Sequence, residues 1–478
     1  MFTRLLPLFM MVLAFPAFAA AQEKVYNASE TTLDNGMQVV VIPNHRAPVV
    51  THMVWYKVGG ADEAQGHSGS AHFLEHLLFK GSDVIGGEPL APGEFSKVIR
   101  RMGGNDNAFT GQDYTAFFQS IPSENLETAM RMEAGRMRGA KMEELESERL
   151  VILEERRQRT DNDPRGRFGE QMAAMAYINH PYGTPIIGWY HEMEQLDLAA
   201  TKGFYDLWYG PNNAILIVSG DVEPDEVFTL ARDIYGQVPR NDNVPERVRT
   251  TSPVMNSKTL VTLEHPVIRE AVFQRLYRVP SFRQDKEVSL AMQVLEEIMG
   301  GGPTSRLYKS LVVDQKIASS AGLSYSANTY DDSGLWVYAN PLPDTDIVNI
   351  EAALDAELRA LIADGVSDEE LSDAKTRMQD AAIYARDSLA GPAMVIGYSL
   401  ATGSTLDDVE TWPAQIDGVT AAQIQEAAKA YLNPDAPRDI PPVSGVLLPK
   451  ADLAPIVSSE PDVAPEHDDA QNSEGETE

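Results

Sequence analysis

Cysteine is absent from all 478 residues. That excludes disulfides, thiolate metal sites, a cysteine nucleophile, and lipidation on a cysteine behind an export signal. Positive charge is scarce: 39 Lys and Arg face 71 Asp and Glu, a formal net charge of −32. Such a chain has no basic patch to offer phosphates, so nucleic acid is excluded as a partner. Runs of membrane-spanning length are missing too. Leu5 to Phe18, behind Arg4, is too short to cross a bilayer as a stable helix. Ala17-Phe18-Ala19 and Ala19-Ala20-Ala21 follow as A-x-A cleavage sites. Residues 1–21 therefore read as a signal peptide, with a mature start near Ala20 or Gln22 and no stable membrane anchor once it is cleaved. A disulfide-free exported chain of this size points to the periplasm of a Gram-negative bacterium, or to secretion.

What is present is ordinary globular composition, 43% apolar and 23% charged, over a length that implies two to four domains. Residues 451–478 hold nine acids and no Lys or Arg, and read as a disordered acidic tail. Residues 22–240 and 259–450 read as two units of similar order. The Pro- and charge-rich stretch 241–258 reads as a linker.

Within the first unit, Met37 to Ile42 and Val49 to Val58 have strand composition, and Asn35-Gly36 marks a turn ahead of them. Ser68 to Lys80 reads as a helix that Ser68 or Ser70 can cap. Gly93 to Met102 reads as another, Asn107 to Thr110 and Tyr114 to Ile121 as a hairpin, and 123–138 and 142–159 as long helices. Ala214 to Ser219 reads as a buried strand. In the second unit, Leu260 to Leu263 and Ala271 to Arg278 precede a helix from Lys286 to Met299. Tyr209-Gly-Pro-Asn and Tyr431-Leu-Asn-Pro stand ahead of similar apolar runs, which points to two copies of one α+β unit.

The chemistry concentrates at His72-Phe73-Leu74-Glu75-His76. Positions i, i+3 and i+4 share a helix face, so these three ionisable side chains converge. The rest of the helix is apolar nearly all round, which makes it a buried helix whose ionisable face needs a partner. Two imidazoles one turn apart suit a tetrahedral zinc ion. Such an ion needs a third protein ligand. Glu148-Arg149-Leu150-Val151-Ile152-Leu153-Glu154-Glu155 offers Glu148 and Glu155 on one stripe, with Val151 and Ile152 between them; a charged helix edge paired to Arg149, Arg156 and Arg157 is the alternative.

These two segments, with Asn107-Ala108-Phe109-Thr110 and Tyr114-Thr115 between them, resemble the insulinase and mitochondrial-processing-peptidase superfamily. Leu33-Asp34-Asn35-Gly36, Phe79-Lys80-Gly81, Gly183 to Gly188, Tyr209 to Ala214 and Gly301 to Leu307 extend the resemblance over residues 31–450. It implies an α+β fold of two homologous domains, each a mainly antiparallel sheet with helices packed on it. It also implies one Zn2+ per chain, held by His72, His76 and Glu155. Glu75 would activate water, and Glu148 would back the metal ligands. Adjacent Glu154 stays open as the third ligand. The stretch Asp83 to Pro92 reads as a small surface insertion that lengthens the spacing to Glu155.

By the same resemblance, Asn107, Ala108, Phe109 and Thr110 form a sheet edge that pairs with an extended substrate backbone. The implied activity is endopeptidase cleavage of unfolded polypeptides or oligopeptides. In the second unit, no histidine falls in the helix matching the motif, and Val312 and Ser319 stand where active relatives carry an Arg and a Tyr. That departure leaves open a weakly catalytic or non-catalytic subunit or scaffold. It also implies a homologous partner: a heterodimer is expected, a homodimer being the alternative.

Overall fold

The computed structural model describes residues 24–450; the expected signal peptide (1–21) and acidic tail (451–478) lie outside them. β-branched runs form two sheets of the same order. The first contains β1 (Ser29–Thr32), β2 (Gln38–Pro43) and β3 (Val49–Tyr56), while β4 (Lys80–Ser82) and β5 (Leu90–Pro92) make a separate ribbon. β6 (Asn105–Thr110), β7 (Thr115–Pro122) and β8 (Ala214–Gly220) complete the first sheet in the order β1-β2-β8-β3-β7-β6. The second sheet uses β9 (Thr259–His265), β10 (Val272–Val279), β11 (Ala318–Tyr325), β12 (Ser333–Pro341) and β13 (Val443–Pro449), ordered β11-β12-β10-β13-β9.

Each sheet is antiparallel apart from one pair, β2 with β8 and β9 with β13. Set side by side, β2-β8-β3-β7-β6 and β9-β13-β10-β12-β11 are one topology used twice. Tyr209-Gly-Pro-Asn and Tyr431-Leu-Asn-Pro precede β8 and β13, the strands that return to the middle of each sheet. The expected α+β architecture of two homologous halves is the one observed.

The helix face of the first sheet is closed by helices Ser70–Leu77, Leu126–Arg138, Leu198–Trp208 and Pro224–Ile234, whose apolar side chains pack with β2, β3, β7 and β8 in one core. The opposite face is covered from the other half. Helix Gly391–Ala401 lays Ala393, Ile396 and Leu400 on Val40, Trp55, Ile215 and Ile217. The exchange is mutual: helix Pro164–Ala176 packs Phe168 and Met172 on Val272, Leu276, Val443 and Leu447 of the second sheet. Both approaches need glycine, since a Cβ on Gly397 would lie 2.0 Å from Trp55 and one on Gly445 2.3 Å from Met172.

Three expectations change in detail. The 142–159 helix is regular only over Leu145–Arg156 and then widens into a π-helical turn, Arg157–Asp161. Asp83 to Pro92 keeps Gly86 to Pro89 at the surface, but it joins the β4–β5 ribbon and buries Ile85 in the first core. Neither Ser68 nor Ser70 caps the motif helix; Gly69 stands at the cap position without a side-chain bond. Among the described residues no helix is long and apolar enough to cross a membrane.

Candidate metal centre

The motif helix, Ser70–Leu77, is held at its start by a carboxylate from outside it. Glu63 accepts the amides of Gly69 and Ala71 at 2.9 and 2.8 Å, satisfying two of the four donors a helix leaves unpaired there. Phe73, Leu74 and Leu77 anchor the helix in the core. His72, Glu75 and His76 then share the face turned towards helix Leu145–Arg156 and β6.

Helix Leu145–Arg156 is fixed by its own arginines. Arg149 donates to the Met193 carbonyl at 2.8 Å, and Arg156 donates to the Gly188 carbonyl at 2.8 Å and to Glu170. The Gly188 carbonyl, at the end of the Gly183–Gly188 segment, is one of these braces. They also explain why a helix so charged lies against the core. Between Glu148 and Glu155, Ile152 is buried, whereas Val151 is about half exposed.

With both helices fixed, Glu155 Oε2 lies 3.6 Å from Nε2 of His72 and 3.6 Å from Nε2 of His76. One donor atom from each of the three residues falls within 4.8 Å of the others. Glu155 Oε2 is buried and has no hydrogen-bond partner among the described residues, while Oε1 pairs with Arg159 at 2.9 Å. Two nitrogens and a carboxylate oxygen, buried or half-buried and converging without bonding one another, fit the donor set of a zinc ion. Glu154 points elsewhere: it is exposed and bonds Arg157 and Gln158.

His76 Nδ1 faces Glu148 Oε2 at 3.3 Å, and Lys80 holds the other oxygen of Glu148 at 2.6 Å. A carboxylate on Nδ1 keeps the proton there and leaves Nε2 with a lone pair, as a metal ligand requires. Glu75 stands outside the donor cluster. Its Oε2 accepts the Thr110 hydroxyl at 2.5 Å.

The charges in the site are mutually dependent. Burial, reinforced by the charge of His76, pushes His72 down to about 4, so it is neutral at physiological pH. Burial works against His76 as well, but contact with Glu155 and the charge of Glu75 outweigh it and raise its value. The His76 contact lowers Glu155 against a desolvation cost. Burial raises Glu75 above an ordinary carboxylate, even though the Thr110 hydrogen bond pulls it back.

β6 is an edge of the first sheet, paired only with β7. Its side chains alternate. Thr110 faces Glu75 and Ala108 packs on the core beneath, while Phe109 joins Trp55, Tyr114 and Tyr398 on the other face. Asn107 accepts the amide of Ala108 at 2.9 Å. The four expected substrate residues thus lie along the open edge, whose last residue, Thr110, meets Glu75 on the motif helix.

Among the described residues the second half carries no such cluster. Helix Lys286–Gly300, which follows β10 as the motif helix follows β3, has no histidine. Val312 lies in a π-helical turn, Lys309–Asp314, and Ser319 on β11 donates to the Asn340 carbonyl. Sequence reasoning missed Glu63 and Lys80 as supports, and it missed the Thr110–Glu75 bond. It also left His52 and His180 without partners. His52 is buried between Gln119 and Tyr235, and His180 reaches Asp331 of the second half at 3.1 Å. Those contacts join segments far apart in the chain, which spacing alone does not reveal.

Comparison with known proteins places this geometry in context. Residues 38–189 match the family described as "Insulinase (Peptidase family M16)", and residues 195–378 match "Peptidase M16 inactive domain". The chain is 34% identical over 348 residues to the zinc protease PqqE of Helicobacter pylori, covering 72% of this chain and 75% of that one. A crystal structure of a protease from Helicobacter pylori matches with TM-score 0.79 at 28% identity, over 88% of this chain and 99% of the other. The periplasmic protease PqqL of Escherichia coli matches in fold, with TM-score 0.74 at 22% identity, over 90% of this chain but only 48% of its own.

Proposed function

The chain belongs to the insulinase family of peptidases (M16), and from that membership we infer that it is a zinc-dependent endopeptidase acting on unfolded polypeptides or oligopeptides. The observation that carries the reading is the convergence of His72, His76 and Glu155 beside a buried carboxylate, Glu75, that takes no part in the cluster.

In this reading His72, His76 and Glu155 hold one Zn2+ per chain. When bound, zinc supplies the Lewis acidity that activates water at neutral pH and polarises a peptide carbonyl. Glu75 takes the proton from the attacking water and passes it to the leaving amine. Its raised affinity for protons suits that shuttle, and Thr110 holds one of its oxygens while the other is free to receive the proton. Glu148, backed by Lys80, holds the His76 ring in the tautomer that presents Nε2. The unpaired edge of β6 binds an extended backbone by strand addition, which recognises main chain more than sequence and so favours unfolded substrates.

A second reading is supported by the second half. Val312 and Ser319 supply neither a guanidinium nor a phenol, so the chain acts weakly or serves as a non-catalytic subunit until a homologous chain provides them. A heterodimer answers that deficit directly, with a homodimer as the alternative. The export signal expected in residues 1–21 supports a periplasmic location.

The deciding experiment measures metal content and cleavage of an internally quenched unstructured peptide on one preparation, with and without a chelator and zinc repletion. Stoichiometric zinc with chelator-sensitive cleavage supports the peptidase. Zinc without cleavage supports the dependent subunit, and absence of both overturns the metal reading.

A further inference from the structure

The stretch 241–258 is no slack tether. The side chains of Arg247 and Arg249, both within it, are buried, and so are those of the acids they meet, Asp62 and Asp113. Arg249 donates to Asp62 at 2.6 Å and to Asp113 at 2.9 Å. Arg247 donates to Asp62 at 3.0 Å and also to the backbone carbonyl of Asp113. Tyr330, from the turn between β11 and β12, lies under both guanidinium groups and donates its amide to Asp113 at 3.0 Å. Tyr182 donates its hydroxyl to the same carboxylate at 2.5 Å. One aspartate thus gathers contacts from the first half, the linker and the second half.

Asp113 sits in the turn that joins β6 to β7. The carbonyls of Gly111 and Gln112 in that turn accept the amides of Gly60 and Ala61, in the loop that supplies Asp62. Thr110, the last residue of β6, is three positions from Asp113 and bonds Glu75. The path from linker to proton carrier is therefore short: arginines, Asp113, the turn, Thr110, Glu75. Nothing else in the mechanism accounts for burying two arginines and two aspartates at this corner, where desolvation is costly and well-packed apolar residues would serve stability as well.

We infer that Arg247 and Arg249 are positioning residues for peptide cleavage, holding through Asp113 the β6–β7 turn that presents Thr110 to Glu75 and the substrate edge to the site. The inference rests on the peptidase reading for its rate consequence, but its structural part stands apart from it. A further consequence is coupling: the corner includes Tyr330, so displacement of the second half relative to the first is felt at Glu75.

The test compares Arg249→Lys, Arg249→Gln, the charge-balanced double variant Arg249→Gln with Asp113→Asn, and Arg359→Ala as a control at an exposed ion pair, that of Arg359 with Asp435. Each is prepared as the full chain loaded with zinc. Hydrogen exchange of residues 105–113, zinc affinity, melting temperature, and kcat and KM on a quenched peptide are measured. Arg249→Gln is expected to speed exchange of 105–113 selectively and lower kcat about ten- to a hundredfold with KM changed little. Zinc affinity should stay near wild type, Arg249→Lys should recover part of kcat, and Arg359→Ala should match wild type.

Unchanged exchange of 105–113 in a folded Arg249→Gln or double variant overturns the inference. So does a fall in kcat that merely follows loss of zinc or of global melting. If the wild-type chain cleaves nothing, the peptidase reading fails on its own, and the exchange measurement still decides whether the arginines hold the strand.

Discussion

Lys80 grips one oxygen of Glu148 at 2.6 Å while the other oxygen faces His76 Nδ1 at 3.3 Å, so a lysine three residues beyond the motif helix orients the carboxylate that meets a candidate ligand within it. Substituting Lys80→Met keeps the aliphatic stem and removes the ammonium. Zinc affinity, read by competition with a chromophoric chelator, is expected to fall about tenfold, the lower end for loss of a ligand's outer support. An affinity equal to wild type would show that Glu148 needs no anchor.

Glu75→Gln should retain near-stoichiometric zinc yet lose at least about two orders of magnitude in kcat, the scale of general-base loss. His72→Ala and His76→Ala should lose metal and activity together. Full turnover by Glu75→Gln would refute the proton-carrier role.

Glu155→Gln should weaken zinc binding far more than Glu154→Gln, because Glu155 faces both imidazoles and Glu154 is tied to Arg157 and Gln158 on the outer face. Calorimetric titration of the two variants decides the assignment. An equal or larger loss at Glu154 would reverse it.

A stability prediction concerns Glu296, in the second half. Burial pushes its carboxyl up to about 7, with a smaller push from Glu297 and an opposing pull from the Tyr325 amide. Its folded value exceeds its unfolded one. The contribution is therefore fully present below the ordinary value of 4.5 and is lost as pH rises through about 7. Glu296→Gln, which cannot ionise, should gain on the order of 2 kcal/mol over wild type at pH 8 and little at pH 4. Denaturant melts at both pH values measure this; a pH-independent difference would contradict it.

Purified alone, the chain is expected to bind zinc but cleave peptides slowly. Adding a homologous chain that lacks the His-x-x-Glu-His motif and carries an Arg and a Tyr at the places of Val312 and Ser319 should restore the rate. Rapid cleavage by the lone monomer, unaffected by substitutions at Val312 and Ser319, would remove the need for such a partner.

Much of this was legible because local patterning and tertiary structure agree. The motif helix is apolar around three ionisable residues, so its burial and the convergence of His72, Glu75 and His76 follow from helical periodicity alone. Seven-residue spacing offered Glu148 and Glu155 together, and only the family resemblance singled out Glu155; the stripe itself does not run as expected, since Val151 is about half exposed. What stayed hidden depends on pairing at long range. Glu63 as the cap of the motif helix is a side chain crossing a loop, where Ser68 and Ser70 were the local choices. Burial of Arg247 and Arg249 could not be read from a stretch whose composition resembles a solvated linker. The exchange of helices between halves leaves no mark in periodicity, because an apolar face does not record which sheet covers it.

That exchange governs the order in which the molecule can fold. The outer face of the first sheet, with Val40, Trp55 and Ile217, waits for helix Gly391–Ala401, which lies far downstream. While the chain emerges from the ribosome, its first half can close the core beneath its own helices but not the opposite face of its sheet, and contacts of such long sequence separation form slowly. The same interlock means that a proteolytic cut within 241–258 would sever the backbone without releasing either half, because each still carries the other's cover. A nicked particle would run as two fragments on a denaturing gel and as one body in solution.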